Sequence, residues 1–179
     1  MAEALYPQCS YRIDADFVPV AITAVVPNVL VVNPASGLTD VRMLMDRARA
    51  APGPMSYCSS GSGTSQHIIA EMFLCETGLR MLHIPHRGTA PAMNDLFAGV
   101  CPMMFPGMGT SAPQIQGQRL NPLTLTVSRR FVPFPQSRNV TEGRAALHRL
   151  GGAPRELFAR GNPVLEYVGD QAGFAGGAR

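Results

Sequence analysis

Seven consecutive residues, 59–65, are all serine, glycine or threonine, and they constrain the fold more than any other segment. A short apolar run, Met55–Ser59, leads into them, and apolar residues at helical spacing follow from Ile68 to Phe73. This order predicts a strand, a tight turn and a helix that begins near Thr64. Small residues let a ligand approach the backbone, and the N–H groups and dipole of a helix start attract an anion. The segment therefore predicts a place for a carboxylate or a phosphate.

The same strand–turn–helix unit recurs along the chain. Strands are predicted in six apolar runs, at 18–24, Val29–Val32, Met55–Ser59, Met81–Pro85, 102–105 and 120–127. Hydroxyl side chains are predicted to cap helices between them, at Thr39, Thr89 and Ser111. This alternation predicts an α/β fold built from parallel βαβ units. Three turns, 59–65, 86–89 and 106–111, would then share the carboxyl edge of the sheet, where ligands collect.

Charge and cysteine content exclude several classes of function. All 15 basic residues are arginine, they are scattered, and the net charge is only +3, so no basic stripe for nucleic acid is predicted. The four cysteines lack C-x-x-C spacing, which argues against a zinc or thioredoxin-type site, and buried thiols are favoured over disulfides. Prolines interrupt the apolar stretch 17–32, which favours two buried strands over a membrane-spanning helix. Neither a metal nor a cofactor is predicted.

An enzymatic alternative rests on two residues at the turn. Ser60 or Cys58 would be the nucleophile of a small α/β hydrolase, but no G-x-S-x-G pattern or positioned base supports this, and Cys58 is expected to face the core. His67, in the first helical turn, is expected to support a ligand indirectly. His83 and His86 would point to opposite faces of a strand, which does not favour a metal pair.

Several ordered motifs resemble those of one receptor family. They are the segment 57–67, the segment 83–91, the lead-in segments 17–20 and 26–34, and 103–105. Over residues 5–143 the chain resembles the TctC or Bug receptors of tripartite tricarboxylate transporters. The resemblance implies a periplasmic-binding-protein-like fold of type II, in which two α/β lobes close on a small carboxylated solute that passes to a membrane permease. It also implies a non-enzymatic, periplasmic protein.

The resemblance also yields expectations about completeness and about the site. Relative to the family, one lobe is expected to be largely present and the other mostly missing. Residues 1–32 would be a crossover segment, 33–128 the binding lobe and 129–179 a helical remnant of the other lobe. Without a signal peptide the chain as written would stay in the cytoplasm, and such a fragment could be inactive or unable to fold alone. The residues expected to bind ligand are Ser60, Gly61, Ser62, Gly63, Thr64, Ser65, His67, His86, Arg87, Gly88 and Thr89.

Overall fold

The computed structural model describes residue 8, residues 10–21 and residues 26–126. Its five strands are β1 (Val29–Val32), β2 (Met55–Ser59), β3 (Met81–Pro85), β4 (Met103–Met104) and β5 (Asn121–Leu125). Its α-helices are α1 (Ile13–Asp16), α2 (Val41–Ala50), α3 (Ser65–Thr77), α4 (Thr89–Phe97) and α5 (Met108–Gln116). The α/β class is confirmed, and β1, β2 and β3 have the predicted bounds. The predicted remnant at 129–179 lies outside the described residues.

The five strands form one mixed sheet in the order β3-β2-β4-β1-β5. β2 runs parallel to both β3 and β4, whereas β1 runs antiparallel to both β4 and β5. The prediction of parallel βαβ units therefore holds for β2, β3 and β4 but not for β1. Asn28, just before β1, forms an antiparallel bridge with Gly107, which follows β4. The start of β1 therefore lies beside the end of β4, and the two strands run in opposite directions.

Helices cover both faces of the sheet. On one face, Leu30 and Val32 of β1 pack in a cluster with residues of α2 and α3. On the other face, Val29 and Val31 pack with residues of α4 and α5. All four β1 residues are completely buried, as expected for an interior strand that is apolar at every position.

The helix starts differ in detail from the predicted caps. Asp40, not Thr39, caps α2, and its Oδ1 accepts a hydrogen bond from the Met43 N–H at 2.8 Å. A carboxylate satisfies that orphan donor better than a hydroxyl one residue earlier. Thr89 is the first residue of α4 rather than its cap. Ser111 lies inside α5, where its hydroxyl donates to the Gly107 carbonyl at 3.0 Å.

The predicted strand at 18–24 is wrong over its described part. Residues 17–21 form neither helix nor strand, and Val18 and Val20 are 86% and 96% exposed. Apolar, β-branched composition favours a strand only where a neighbouring strand supplies hydrogen bonds and packing. Residues 22–25 lie outside the described part of the chain.

A disulfide joins Cys58 at the end of β2 to Cys101 just before β4, with their Cα atoms 5.9 Å apart. The expectation of unpaired buried thiols is wrong for this pair. Residues 43 apart in sequence come together because β2 and β4 are neighbours in the sheet. Cys75 is an exposed free thiol. Within residues 10–21 and 26–126, no helix is long and apolar enough to cross a membrane, and no cluster of metal-ligating side chains forms.

Candidate anion-binding site

Three turns rich in small residues lie at the same edge of the sheet. Ser59 is paired with Pro85 and Cys58 with Met104 in parallel register, so β2, β3 and β4 end side by side. The turns 59–65, 86–89 and 106–111 therefore follow three neighbouring strand ends, as the sequence predicted. Each turn leads into a helix, so α3, α4 and α5 all begin at this edge.

Backbone hydrogen bonds join the first two turns directly. The His86 N–H donates to the Ser59 carbonyl at 3.0 Å, and the Gly88 N–H donates to the Ser60 carbonyl at 3.1 Å. Gly61 adopts a φ of 141°, and a Cβ there would lie 3.4 Å from the His86 carbonyl oxygen. The backbone conformation favours glycine at Gly61, whereas the 3.4 Å distance is an ordinary van der Waals contact.

Gln66, which the sequence analysis did not single out, links the same two turns through its side chain. Its Oε1 accepts from the Ser60 N–H at 3.0 Å, and its Nε2 donates to the Thr89 hydroxyl at 3.2 Å. The side chain is buried, with the residue only 6% exposed. A buried glutamine needs hydrogen-bond partners for its side-chain amide. A glutamine in the first turn of α3, directly after the Ser/Gly/Thr turn, was the sequence signal for such a link.

Much of the hydrogen-bonding capacity of the Ser/Gly/Thr turn is used within the turn. The Gly61 N–H donates to Ser59 Oγ at 3.1 Å, and the Thr64 hydroxyl donates to the Gly61 carbonyl at 2.8 Å. The Gly63 N–H donates to Nδ1 of His67 at 3.1 Å. The first backbone bond of α3 runs from Ile68 to the Thr64 carbonyl, so the N–H groups of residues 65–67 have no partner within the helix.

Three aromatic rings form a stack beneath the turn. The His83 ring lies 4.8 Å from that of Tyr57 and 4.1 Å from that of His67, each pair only 15° from parallel. The Tyr57 hydroxyl donates to Glu71 Oε1, and the same carboxylate oxygen lies 3.9 Å from His67 Nε2. Burial, and then the hydrogen bond to Glu71, raise the pKa of Tyr57. Burial, and then the nearby His67, lower the pKa of His83, so a neutral ring is favoured there.

The second turn contains two basic residues, His86 and Arg87. Nε2 of His86 lies 3.4 Å from a carboxylate oxygen of Asp95 in α4, whereas His83 stacks on His67 of α3. The two histidines of β3 and its following turn therefore face opposite sides of the sheet, as expected. Arg87, in the second turn, is exposed and carries a formal positive charge.

The geometry also bears on the enzymatic alternative. Cys58 is in the disulfide, which removes it as a free nucleophile. A serine–histidine pair does occur, because Ser59 Oγ lies 2.7 Å from His83 Nε2. Ser59 is completely buried, however, and its hydroxyl already bonds both the N–H and the carbonyl of Gly61. These hydrogen bonds assign the Ser59 hydroxyl to shaping the turn and not to nucleophilic attack.

Comparison with protein families matches residues 1–148 to the tripartite tricarboxylate transporter family receptor. A UPF0065 protein from the tcbD–tcbE intergenic region of Pseudomonas sp. strain P51 is 36% identical over 170 residues, covering 89% of this chain and 51% of that protein. BugT of Bordetella pertussis strain Tohama I is 32% identical, over 74% of this chain and 40% of its own length. The chain thus spans about half or less of these relatives.

Solved structures show the same fold. Rpa4515 of R. palustris, solved with adipate, is 30% identical with a TM-score of 0.70, over 74% of this chain and 44% of that one. A structure described as a periplasmic transporter is 28% identical with a TM-score of 0.74, over 90% of this chain and 54% of that one. The described sheet therefore corresponds to part of a periplasmic-binding-protein fold.

Proposed function

The chain belongs to the receptor family of tripartite tricarboxylate transporters, and from this we propose that its three-turn edge binds a small carboxylated solute. The observation that carries the proposal is the convergence of three helix starts at the ends of β2, β3 and β4. The positive end of each helix dipole lies at this edge, and the N–H groups of residues 65–67 at the start of α3 have no partner within the helix. Binding by such groups breaks no covalent bond, so the proposed function is capture rather than catalysis.

Within that edge, the ligand contacts are assigned to distinct groups. The first N–H groups of α3, at Ser65 and the two residues after it, hold one carboxylate. To the same ligand we assign the hydroxyls of Ser60 and Ser62 and the segment 86–89, with Arg87 as the formal positive charge. Gly61, Gly63 and Thr64 serve mainly to shape the turn, because their described hydrogen bonds are internal to it or go to His67.

The proposed setting is the periplasm, where the receptor would pass its solute to a membrane permease. Family membership supports both points, and solved relatives include proteins described as periplasmic. The Cys58–Cys101 disulfide supports the compartment independently, because disulfides persist in oxidising environments and are rare in the cytosol. No nucleic-acid partner is proposed.

Adipate is a suitable first probe, because Rpa4515 was solved with it. Calorimetric titration of the purified 179-residue chain should give saturable binding, with a Kd near 1 mM, or about −4 kcal/mol, for a few solvent-screened hydrogen bonds. The matched control is hexane-1,6-diol, which has the same chain length without the carboxylates. Equal heats for adipate and the diol, or no saturation with adipate, would contradict the proposal.

A further inference from the structure

We propose that His67 determines whether the Gly63 N–H of the anion-binding turn can bind a ligand. A neutral His67 ring accepts the hydrogen bond from this N–H, and a protonated ring leaves the N–H available to a ligand oxygen. The inference rests on the proposed carboxylate site and adds a residue that sets its affinity. The observation behind it is the 3.1 Å hydrogen bond from the Gly63 N–H to Nδ1 of His67. That bond requires an unprotonated Nδ1, because only a nitrogen with a lone pair accepts.

Protonation changes this contact from attractive to repulsive. A proton on Nδ1 would place two donors, the ring N–H and the Gly63 N–H, against each other. The contact must then open, and both donors become available to a ligand oxygen on the turn. The added positive charge also favours an anion, so proton uptake and carboxylate binding should reinforce each other.

The groups that face the His67 ring come from α3 itself and from β3. Glu71, one turn later on the same helix, has a carboxylate oxygen 3.9 Å from Nε2. On the other side the ring stacks on His83 of β3, whose Nε2 is 2.7 Å from the Ser59 hydroxyl. The burial of His83 lowers its pKa, as do His67 and His86, while Glu71 acts in the opposite direction.

Access to the ring is compatible with this role. The His67 side chain is 18% exposed, so protons reach it without unfolding of the turn. Tyr57, the third ring of the stack, is completely buried and its pKa is raised, so it stays neutral and adds no charge. Histidine is the side chain whose charge ordinarily changes between about pH 8 and pH 5, which gives an accessible range for a test.

His67→Asn is the matched variant, because the Asn side-chain oxygen can accept from the Gly63 N–H at the position of Nδ1 but does not titrate. NMR of the full chain without ligand should show the Gly63 amide shifting with His67 protonation in the wild type and not in His67→Asn. Calorimetry should show adipate binding about tenfold tighter at about pH 6 than at about pH 8 in the wild type, the size of one charge-assisted hydrogen bond. His67→Asn should change less than twofold over the same range.

Two results overturn the inference: a Gly63 amide that ignores His67 protonation, or the same pH dependence of adipate affinity in both chains. Any titration of adipate itself affects both chains equally and cancels in the comparison. A wild type that binds no adipate at either pH refutes the proposed function instead. The ligand-free Gly63 titration then still decides whether His67 controls that amide.

Discussion

Gly61 and His86 are in van der Waals proximity across two turns: a Cβ on Gly61 would lie 3.4 Å from the His86 carbonyl oxygen. The φ of Gly61 is 141°, a conformation that side chains with a Cβ rarely adopt. Backbone hydrogen bonds from His86 to Ser59 and from Gly88 to Ser60 hold the first and second turns of the anion-binding edge together around Gly61.

Gly61→Ala should therefore strain the backbone of the first turn, because alanine disfavours the φ of Gly61. We expect a loss of about 1–3 kcal/mol in the free energy of unfolding, the usual cost of a residue held in a disfavoured backbone region. Urea denaturation measures this, with Gly53→Ala as control, because Gly53 has open space around its α-carbon. Equal stability of the two variants would show that the turn relaxes freely.

Gln66→Leu should weaken the link between the first two turns without leaving a cavity. The substitution removes the acceptor of the Ser60 N–H and the donor to Thr89, both in a buried setting. Unfolding free energy should fall by about 1–3 kcal/mol, the cost of leaving a buried polar group unpaired. The exposed Gln116 provides the control, since Gln116→Leu should stay within about 0.5 kcal/mol of the wild type. A neutral Gln66→Leu would contradict the proposed link.

Stability should depend on pH through His83. Its folded-state pKa is lowered, so the unfolded chain takes up a proton more readily, and stability falls as the pH drops below about 6.5 toward the folded-state pKa. Above that range neither state is protonated at His83, and this contribution is fully present. Denaturation midpoints across the range should show the decline in the wild type. His83→Asn should flatten it, whereas His67→Asn should retain most of it, because burial is the larger cause of the lowered His83 pKa. An unchanged slope in His83→Asn would contradict the assignment.

Loss of the disulfide should destabilise the sheet at the site. Cys58 and Cys101 close a loop with a sequence separation of 43, for which the chain-entropy model gives about 4 kcal/mol. The double variant Cys58→Ala with Cys101→Ala should match the reduced wild type in denaturation. Cys75→Ser, at the exposed free thiol, should behave as the oxidised wild type. An oxidised wild type no more stable than the reduced chain would contradict the role of the disulfide.

Sequence reasoning predicted the elements that depend on local pattern. The apolar runs of β1, β2 and β3 were confirmed, as was the convergence of the three turns, since strand–helix order fixes which strand ends meet. The direction of β1 and the Cys58–Cys101 pair could not be predicted, because both depend on which strands become neighbours. The Gln66 bridge was missed for the same reason: its partner Thr89 is distant in sequence.

NMR mapping of the full chain with adipate tests the central claim most directly. Amide signals of residues 65–67, 86–89 and 107–110 should shift progressively with adipate and stay in place with hexane-1,6-diol. Signals at the opposite end of the sheet, around Gly78 and Arg80, provide an internal control and should not move. Adipate shifts centred on that opposite end, or absent from all three turns, would contradict the assignment of the anion-binding site.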